Sequence, residues 1–211
     1  MTYTHTLEII EASTTVDLTT LETAKDELNI TDTSMDTKLT RWIHEASSAI
    51  ASRVNRVLGR ETVKETFVCP SGSDGLPLSR YPVAFIDSVT EGDTSVLSTS
   101  DYRLAFQTGV LYRNYGFGTG YGSDGRWYGK VVVQYQAGYQ LLDELPYDLE
   151  RACLILLSYR KSQSGRDPML RSEAVPGVYE ASYWIGSIPG SDASMPPEVL
   201  DLLTPYRDLA V

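Results

Sequence analysis

The residues able to do chemistry are few and badly spaced for it. Histidine occurs only as His5, close to the N-terminus, and His44, inside a long helical pattern, and neither has a metal-binding partner at HExxH spacing. There is no CxxC pair and no EF-hand loop, so no metal ligand set can be read from the sequence. Cys69 and Cys153 stand far apart in segments of different character, which suits reduced core thiols of a cytosol-made protein better than a disulfide framework. Ser71 and Ser73 lie in "CPSGSDG", a turn sequence without the GxSxG elbow and following helix that activate a serine. The glycines of "GFGTGYG", Gly116, Gly118, Gly120 and Gly122, alternate strictly and lead into a strand, whereas a dinucleotide loop needs GxGxxG opening a helix. Interleaved with Tyr115, Phe117, Tyr121, Trp127 and Tyr128, they read as a flexible loop with adhesive aromatic side chains. Only Arg113, Arg126 and Lys130 lie near, too little basic charge for a single-stranded nucleic acid groove. Contact with another protein is the preferred use of this loop, and a surface-packed loop without a partner is the alternative. The pattern as a whole predicts no enzyme, no metal and no cofactor.

The chain has 211 residues with 42% hydrophobic content, enough for one sizeable core, and a net charge of −10. Acidic residues outnumber basic ones in each of the segments 1–59, 60–144 and 145–211, so the acidity is even and no tail carries it. Such a surface argues against gripping nucleic acid, where phosphate neutralisation supplies most of the affinity. The N-terminal "MTYTHTLEII" lacks the basic and apolar regions of a secretory signal. No window approaches the run of about 18 apolar residues that a membrane span requires.

Two helices open the chain. In "LTTLETAKDELNI", Thr19 and Glu22 resemble a capping box, and Leu21, Ala24 and Leu28 fall at helical spacing, placing a helix over 20–29. The next segment offers Asp32, Thr33 and Ser34 as N-caps, and Asp36 suits the positive end of the helix dipole. Met35, Leu39, Trp42, Ile43, Ala46, Ala49, Ile50, Val54, Val57 and Leu58 then form one apolar stripe, with Gly59 as the stop, for a helix of about seven turns. Its small residues, among them Ala46, Ser47 and Ala49, predict close approach by another helix.

From residue 60 the period becomes two. Val63, Glu65 and Phe67 alternate with Thr62, Lys64, Thr66 and Val68, without settling which set faces inward. Pro77 and Pro82 confine the following segment to an edge or a turn, and "DYRLAFQTGVLYRN" reads as a hairpin bent at Thr108-Gly109. In "VVVQYQAGYQLLDELPYDLERACLILL" a strand passes through a turn at Gly138 directly into a helix opened by Pro146. Asp148 and Glu150 sit in that helix's first turn, with Arg160 and Lys161 in its last. Its "ACLILL" interior is apolar around most of its circumference, so it should be central. Beyond it, Gly, Ser and Pro dominate up to one short helical signal, "PPEVLDLLTPYR". The expected class is α+β: a helical core of a long central helix and a Pro-initiated helix, an inserted antiparallel β unit over about 60–139, and an extended C-terminal arm. Residues 1–164 form a single domain in this reading and 165–211 the arm, either ordered against a neighbour or folded back on its own core.

The chain resembles the head-tail connector, or adaptor, proteins of long-tailed double-stranded DNA phages and gene transfer agents. The resemblance rests on "TTLETAKDELNI", "MDTKLTRWIHEASSAIASRVNRVLGR", the strand-to-helix junction, "SEAVPGVYEASYW" and "PPEVLDLLTPYR", taken in that order along most of the chain. It implies a structural virion protein made in the host cytoplasm and placed at the head-tail interface. It further implies a twelvefold ring of identical subunits between the portal protein and the next connector, stopper or tail protein, through which double-stranded DNA passes without specific binding. By the same resemblance the portal contact falls on Tyr183, Trp184, Leu200, Leu203, Tyr206 and Arg207, and a neighbouring subunit or tail contact on Tyr115, Phe117, Tyr121, Trp127 and Tyr128. The alternative from another class is a monomeric accessory module whose Gly/Tyr-rich loop holds a glycan or peptide.

Overall fold

The computed structural model describes residues 3–92, 95–106, 108–115, 124–164, 172–175, 179–182 and 195–207. These residues are mixed helix and sheet, as expected of an α+β protein, and they divide into two compact units.

The sheet unit comprises Met1–Thr15 and Val57–Gln140. Its larger sheet runs in the order β1 (Thr4–Glu11), β2 (Glu61–Ser73), β8 (Trp127–Ala137), β4 (Val83–Glu91) and β5 (Ser95–Val96), with every pairing antiparallel. The smaller sheet is β3 (Leu76–Pro77), β7 (Val110–Arg113) and β6 (Tyr102–Ala105). The period-two pattern resolves here: Val63, Glu65, Phe67 and Cys69 point inward from β2 while Lys64, Thr66 and Val68 stay at or near the surface. Val63, Phe67 and Cys69 share one core with Val131, Val133, Tyr135 and Ala137 of β8, with Leu76 and Leu111 of the smaller sheet, and with Leu78 just after β3. Pro77 lies on an edge strand, where its missing N–H breaks no ladder, and Gly109 takes the left-handed backbone (φ 65°) at the expected hairpin bend. The N-terminal strand β1 was not foreseen, although Thr4, Thr6 and Glu8 alternate there with His5, Leu7 and Ile9.

The helical unit comprises Val16–Arg56 and Leu141–Val211, with α1 (Leu21–Glu27), α2 (Asp36–Val54), α3 (Tyr147–Gln163) and α4 (Pro197–Leu203). Residues 195–207 pack within the helical unit through Met195, Val199 and Leu203. Between α3 and that segment, the described residues include only the antiparallel pair β9 (Ser172–Val175) and β10 (Tyr179–Ser182). The N-cap of α1 is Thr20, whose hydroxyl accepts from Thr23 N–H, and not Thr19, which is buried and donates to Glu150. Met35 occupies the N-cap of α2, and the nearby Asp32 carboxylate instead accepts the Ser34 N–H at 2.8 Å.

Helix α2 has 19 residues, about five turns, and ends well before Gly59. Asn55 adopts the left-handed conformation (φ 55°, ψ 38°), its N–H reaches the Ser52 carbonyl and the Arg56 N–H reaches Ala51, a complete Schellman stop. Leu39, Trp42, Ile43, Ala46, Ile50 and Val54 form the buried stripe, and Val57 lies beyond it, exposed. The close helix approach occurs at Ser47, whose hydroxyl accepts from Leu18 N–H and lies 3.8 Å from Cys153 Sγ on α3. As expected, α3 is central, burying Leu149, Ala152, Cys153, Leu154, Ile155 and Leu157 against the other three helices.

Gly59 has a different task from stopping a helix. A Cβ there would lie 2.1 Å from Ser13 Oγ and 3.1 Å from the Thr15 carbonyl, while a Cβ on Gly138 would lie 2.4 Å from the Gly59 carbonyl oxygen. Gly138 also has φ +97°, donates to the Pro82 carbonyl, and is followed by Tyr139, whose N–H donates to Leu58. Four backbone segments meet where only glycine fits. Gly138→Ala combines backbone strain with a backbone clash, so a loss of about 3 kcal/mol or more is expected, measured by denaturant unfolding.

Candidate functional site

The aromatic loop is anchored by its base. Residues 116–123, with Phe117 and Tyr121, lie outside the described residues, as do Tyr183 and Trp184. The flanks are well defined: the Tyr115 ring lies against Gly125, where a Cβ would come within 3.2 Å of it, and Tyr115 itself is 83% exposed. Opposite it, Tyr128 donates to Asp124 at 2.5 Å and Arg126 pairs with Asp74 at 2.7 Å. The Tyr128 hydrogen bond holds the Asp124 carboxyl below its ordinary range, and the Arg126 hydrogen bond does the same for Asp74. The Tyr128 ring in turn packs over Gly72, a left-handed position (φ +80°) that falls within the register shift of β2. Trp127 behaves otherwise. It is fully buried, its indole N–H donates to the Leu111 carbonyl at 3.0 Å, and the Arg113 guanidinium lies over its ring. Its side chain is committed to the core, leaving Tyr115 and half-buried Tyr128 as the described aromatics available to a partner.

The C-terminal candidates divide in the same way. Leu203 is 2% exposed and belongs to the helical core. Leu200 and Tyr206 are half-buried, and Arg207 is exposed. Tyr206 fastens the segment: its hydroxyl donates to Asp148 at 3.3 Å, and its carbonyl accepts from Arg56 at 3.2 Å. In the helical unit an open groove is lined by residues that include Glu27, Arg151, Ile155, Ser158, Tyr159 and Glu198, with Arg151 paired to Glu27 at 2.7 Å. The sequence reading did not find this groove, though Arg151, Ile155 and Ser158 recur at helical spacing on one face of α3.

Among the described residues no group of His, Cys, Asp and Glu is arranged to hold a metal ion. Several carboxylates are nonetheless buried in the sheet unit. Glu61 faces Arg80 at 3.4 Å and Glu91 faces Arg113 at 3.3 Å, each carboxylate almost fully buried. Glu65 is completely buried, and one of its oxygens accepts the Ser79 N–H at 2.9 Å and the Tyr135 hydroxyl at 3.1 Å. Burial pushes its carboxyl above the ordinary range, against the pull of those two donors. Burial likewise raises the Tyr135 phenol, with the Glu65 charge adding to it. A raised carboxyl favours the fold fully below the unfolded-state pKa and loses that contribution as pH rises through the folded value. Glu65→Gln keeps an acceptor for both donors without the buried charge. Its denaturation midpoint should exceed the parent's at pH 7 and converge with it near pH 4.

The family model described as "Head completion protein" (HCP) matches residues 17–176. Among curated proteins no sequence match is found. Solved structures with a similar fold include a chain from "Neck of empty GTA particle computed with C6 symmetry", at TM-score 0.56 and 18% identity, covering 98% of this chain and 97% of that one. A chain from "Neck of native GTA particle computed with C12 symmetry" gives 0.52 and 17% identity over 98% and 97%. One from "Virion of native gene transfer agent (GTA) particle" gives 0.50 and 16% over 97% and 96%. At these identities the structures speak for the fold, which is shared along nearly the entire chain. The family match covers well over half of the sequence, and the protein belongs to the head completion protein family of phage head-tail connectors.

Proposed function

We propose that the protein is a non-enzymatic connector subunit that closes into a ring at the head-tail interface of a phage or gene-transfer particle, between the portal and the next neck or tail protein. The observation that carries this reading is the family match over residues 17–176, supported by a fold shared end to end with chains of particle necks. The necks in question were computed with C6 and C12 symmetry, compatible with a twelvefold ring here. A ring of identical subunits requires two different, complementary surfaces on each copy. The net charge of −10 suits a channel that double-stranded DNA crosses without adhering, since like charge discourages phosphate contacts.

The portal contact is assigned to the exposed side of the C-terminal segment, with Leu200, Tyr206 and Arg207 joined by Tyr183 and Trp184. Leu203 supports that segment from below. The clasped loop at Tyr115 and Tyr128, with Phe117 and Tyr121 between them, is assigned to a neighbouring subunit or to the next component of the neck.

Affinity capture of the tagged protein from particle-producing cells, with mass spectrometry and negative-stain imaging, tests the reading. Portal recovered with ring-shaped particles supports it. A monomer that captures no particle protein while portal is demonstrably present overturns it in favour of a small-ligand module. Within the same assay Arg207→Glu should lose portal without a change in melting temperature, whereas Leu203→Ala should lower stability by about 2–5 kcal/mol. Undiminished capture by Arg207→Glu would move the portal contact elsewhere.

A further inference from the structure

Strand β1 is an open edge. Thr4–Glu11 pairs with β2 on one side, and among the described residues no strand occupies its other side. Neighbouring Ile9 and Ile10, on opposite faces, are 49% and 46% exposed, so neither face of the strand is well covered at that end. The opposite end is held firmly: Tyr3 meets the Phe67 ring edge-on and His5 stacks on it, both at 5.8 Å, while Leu7 packs against the same core. The strand is therefore fixed in place with its outer N–H and C=O groups unclaimed by the sheet.

Two other edges of this unit are blunted in ways proteins usually use. The far edge of the large sheet, β5, is two residues long, and β3 carries Pro77. By contrast β1 has eight residues, without proline or lysine, and its only irregularity is a register shift between Ile9 and Glu11.

The described residues also include a separate two-stranded ribbon. Strands β9 and β10 pair antiparallel from Ser172↔Ser182 to Val175↔Tyr179, and no third strand joins them among the described residues. A ribbon of two short strands is marginal by itself in water and gains most from a third.

We infer that the β9–β10 ribbon of one copy adds to the β1 edge of the adjacent copy, extending the five-stranded sheet across the subunit boundary. This deepens the ring reading and rests on it. An acceptor edge and a donor ribbon are two different surfaces on one chain, as head-to-tail closure requires, and strand addition supplies main-chain hydrogen bonds that need little side-chain matching. Glu8 on β1 is already countered by Lys64 at 3.6 Å, which lessens the strand's own negative charge.

Hydrogen exchange by mass spectrometry, comparing monomer with isolated ring, tests the inference without knowledge of the register. New protection confined to 4–11 and 172–182 on ring formation is the expected result. Replacing 172–182 by a Gly/Ser segment of equal length should leave the monomer's melting transition in place and prevent closure of the ring. Rings that form normally from that variant, or a β1 equally protected in monomer and ring, overturn the inference while the connector reading stands. Protection of β1 only after portal is added also overturns it, giving the edge to a portal strand. Absence of rings from the parent protein under conditions where portal is captured removes the ring reading and this inference together.

Discussion

The meeting of Gly59 and Gly138 is the constraint on which the chain path depends. The polypeptide enters or leaves the sheet unit after Thr15, before Val57 and after Gln140. Ser13, Gly59 and Gly138 draw the neighbouring residues of all three passages together, and the Pro82 carbonyl closes the cluster by accepting the Gly138 N–H. A side chain at Gly138 would push apart backbones, and one at Gly59 would drive into the Ser13 side chain that packs against it. This is why a strand can run through one turn into a helix: β8 is pinned at its last residues before the chain departs for α3.

Much of this was legible because periodicity and caps are local. The α2 stripe, the apolar α3 interior, the Pro146 start and the hairpin bent at Gly109 follow from spacing and backbone preference alone. The errors arise where two local signals compete or where tertiary packing decides. Gly59 looks like a helix stop, but Asn55 already tolerates the left-handed conformation and satisfies the last carbonyls four residues earlier. Thr19 and Thr20 are equivalent in sequence, and only the bond from Thr19 to Glu150 on a distant helix shows which one is free to cap. Glu65 could not be oriented because a carboxylate argued for the outside while its neighbours Val63 and Phe67 argued for the inside. The hydrophobic pattern won, since a one-residue slip would have exposed three apolar side chains to rescue one charge.

The candidate interfaces were less legible for a related reason. Aromatic residues in one stretch look alike in sequence, yet Trp127 and Tyr128 alternate across the sheet and so have opposite fates. The same holds on α4, where Leu203 faces the core and Leu200 lies at its margin. A short amphipathic segment therefore presents only some of its apolar residues to a partner. The polar clasp of Asp74, Arg126, Asp124 and Tyr128 shows the complementary strategy, in which exposed hydrogen bonds fix the base of a loop and leave Tyr115 outside.

A fold shared over 98% of the chain at 18% identity shows how little the architecture depends on particular side chains. Core positions tolerate substitutions that conserve volume and pattern, so the architecture survives extensive change. Side-chain contacts at a surface have no such protection, and fold alone does not specify them. An open strand edge is different, because its recognition groups belong to the backbone and are present whatever the side chains are. Among the described residues, the outer edge of β1 accordingly depends more on the fold than on the particular sequence.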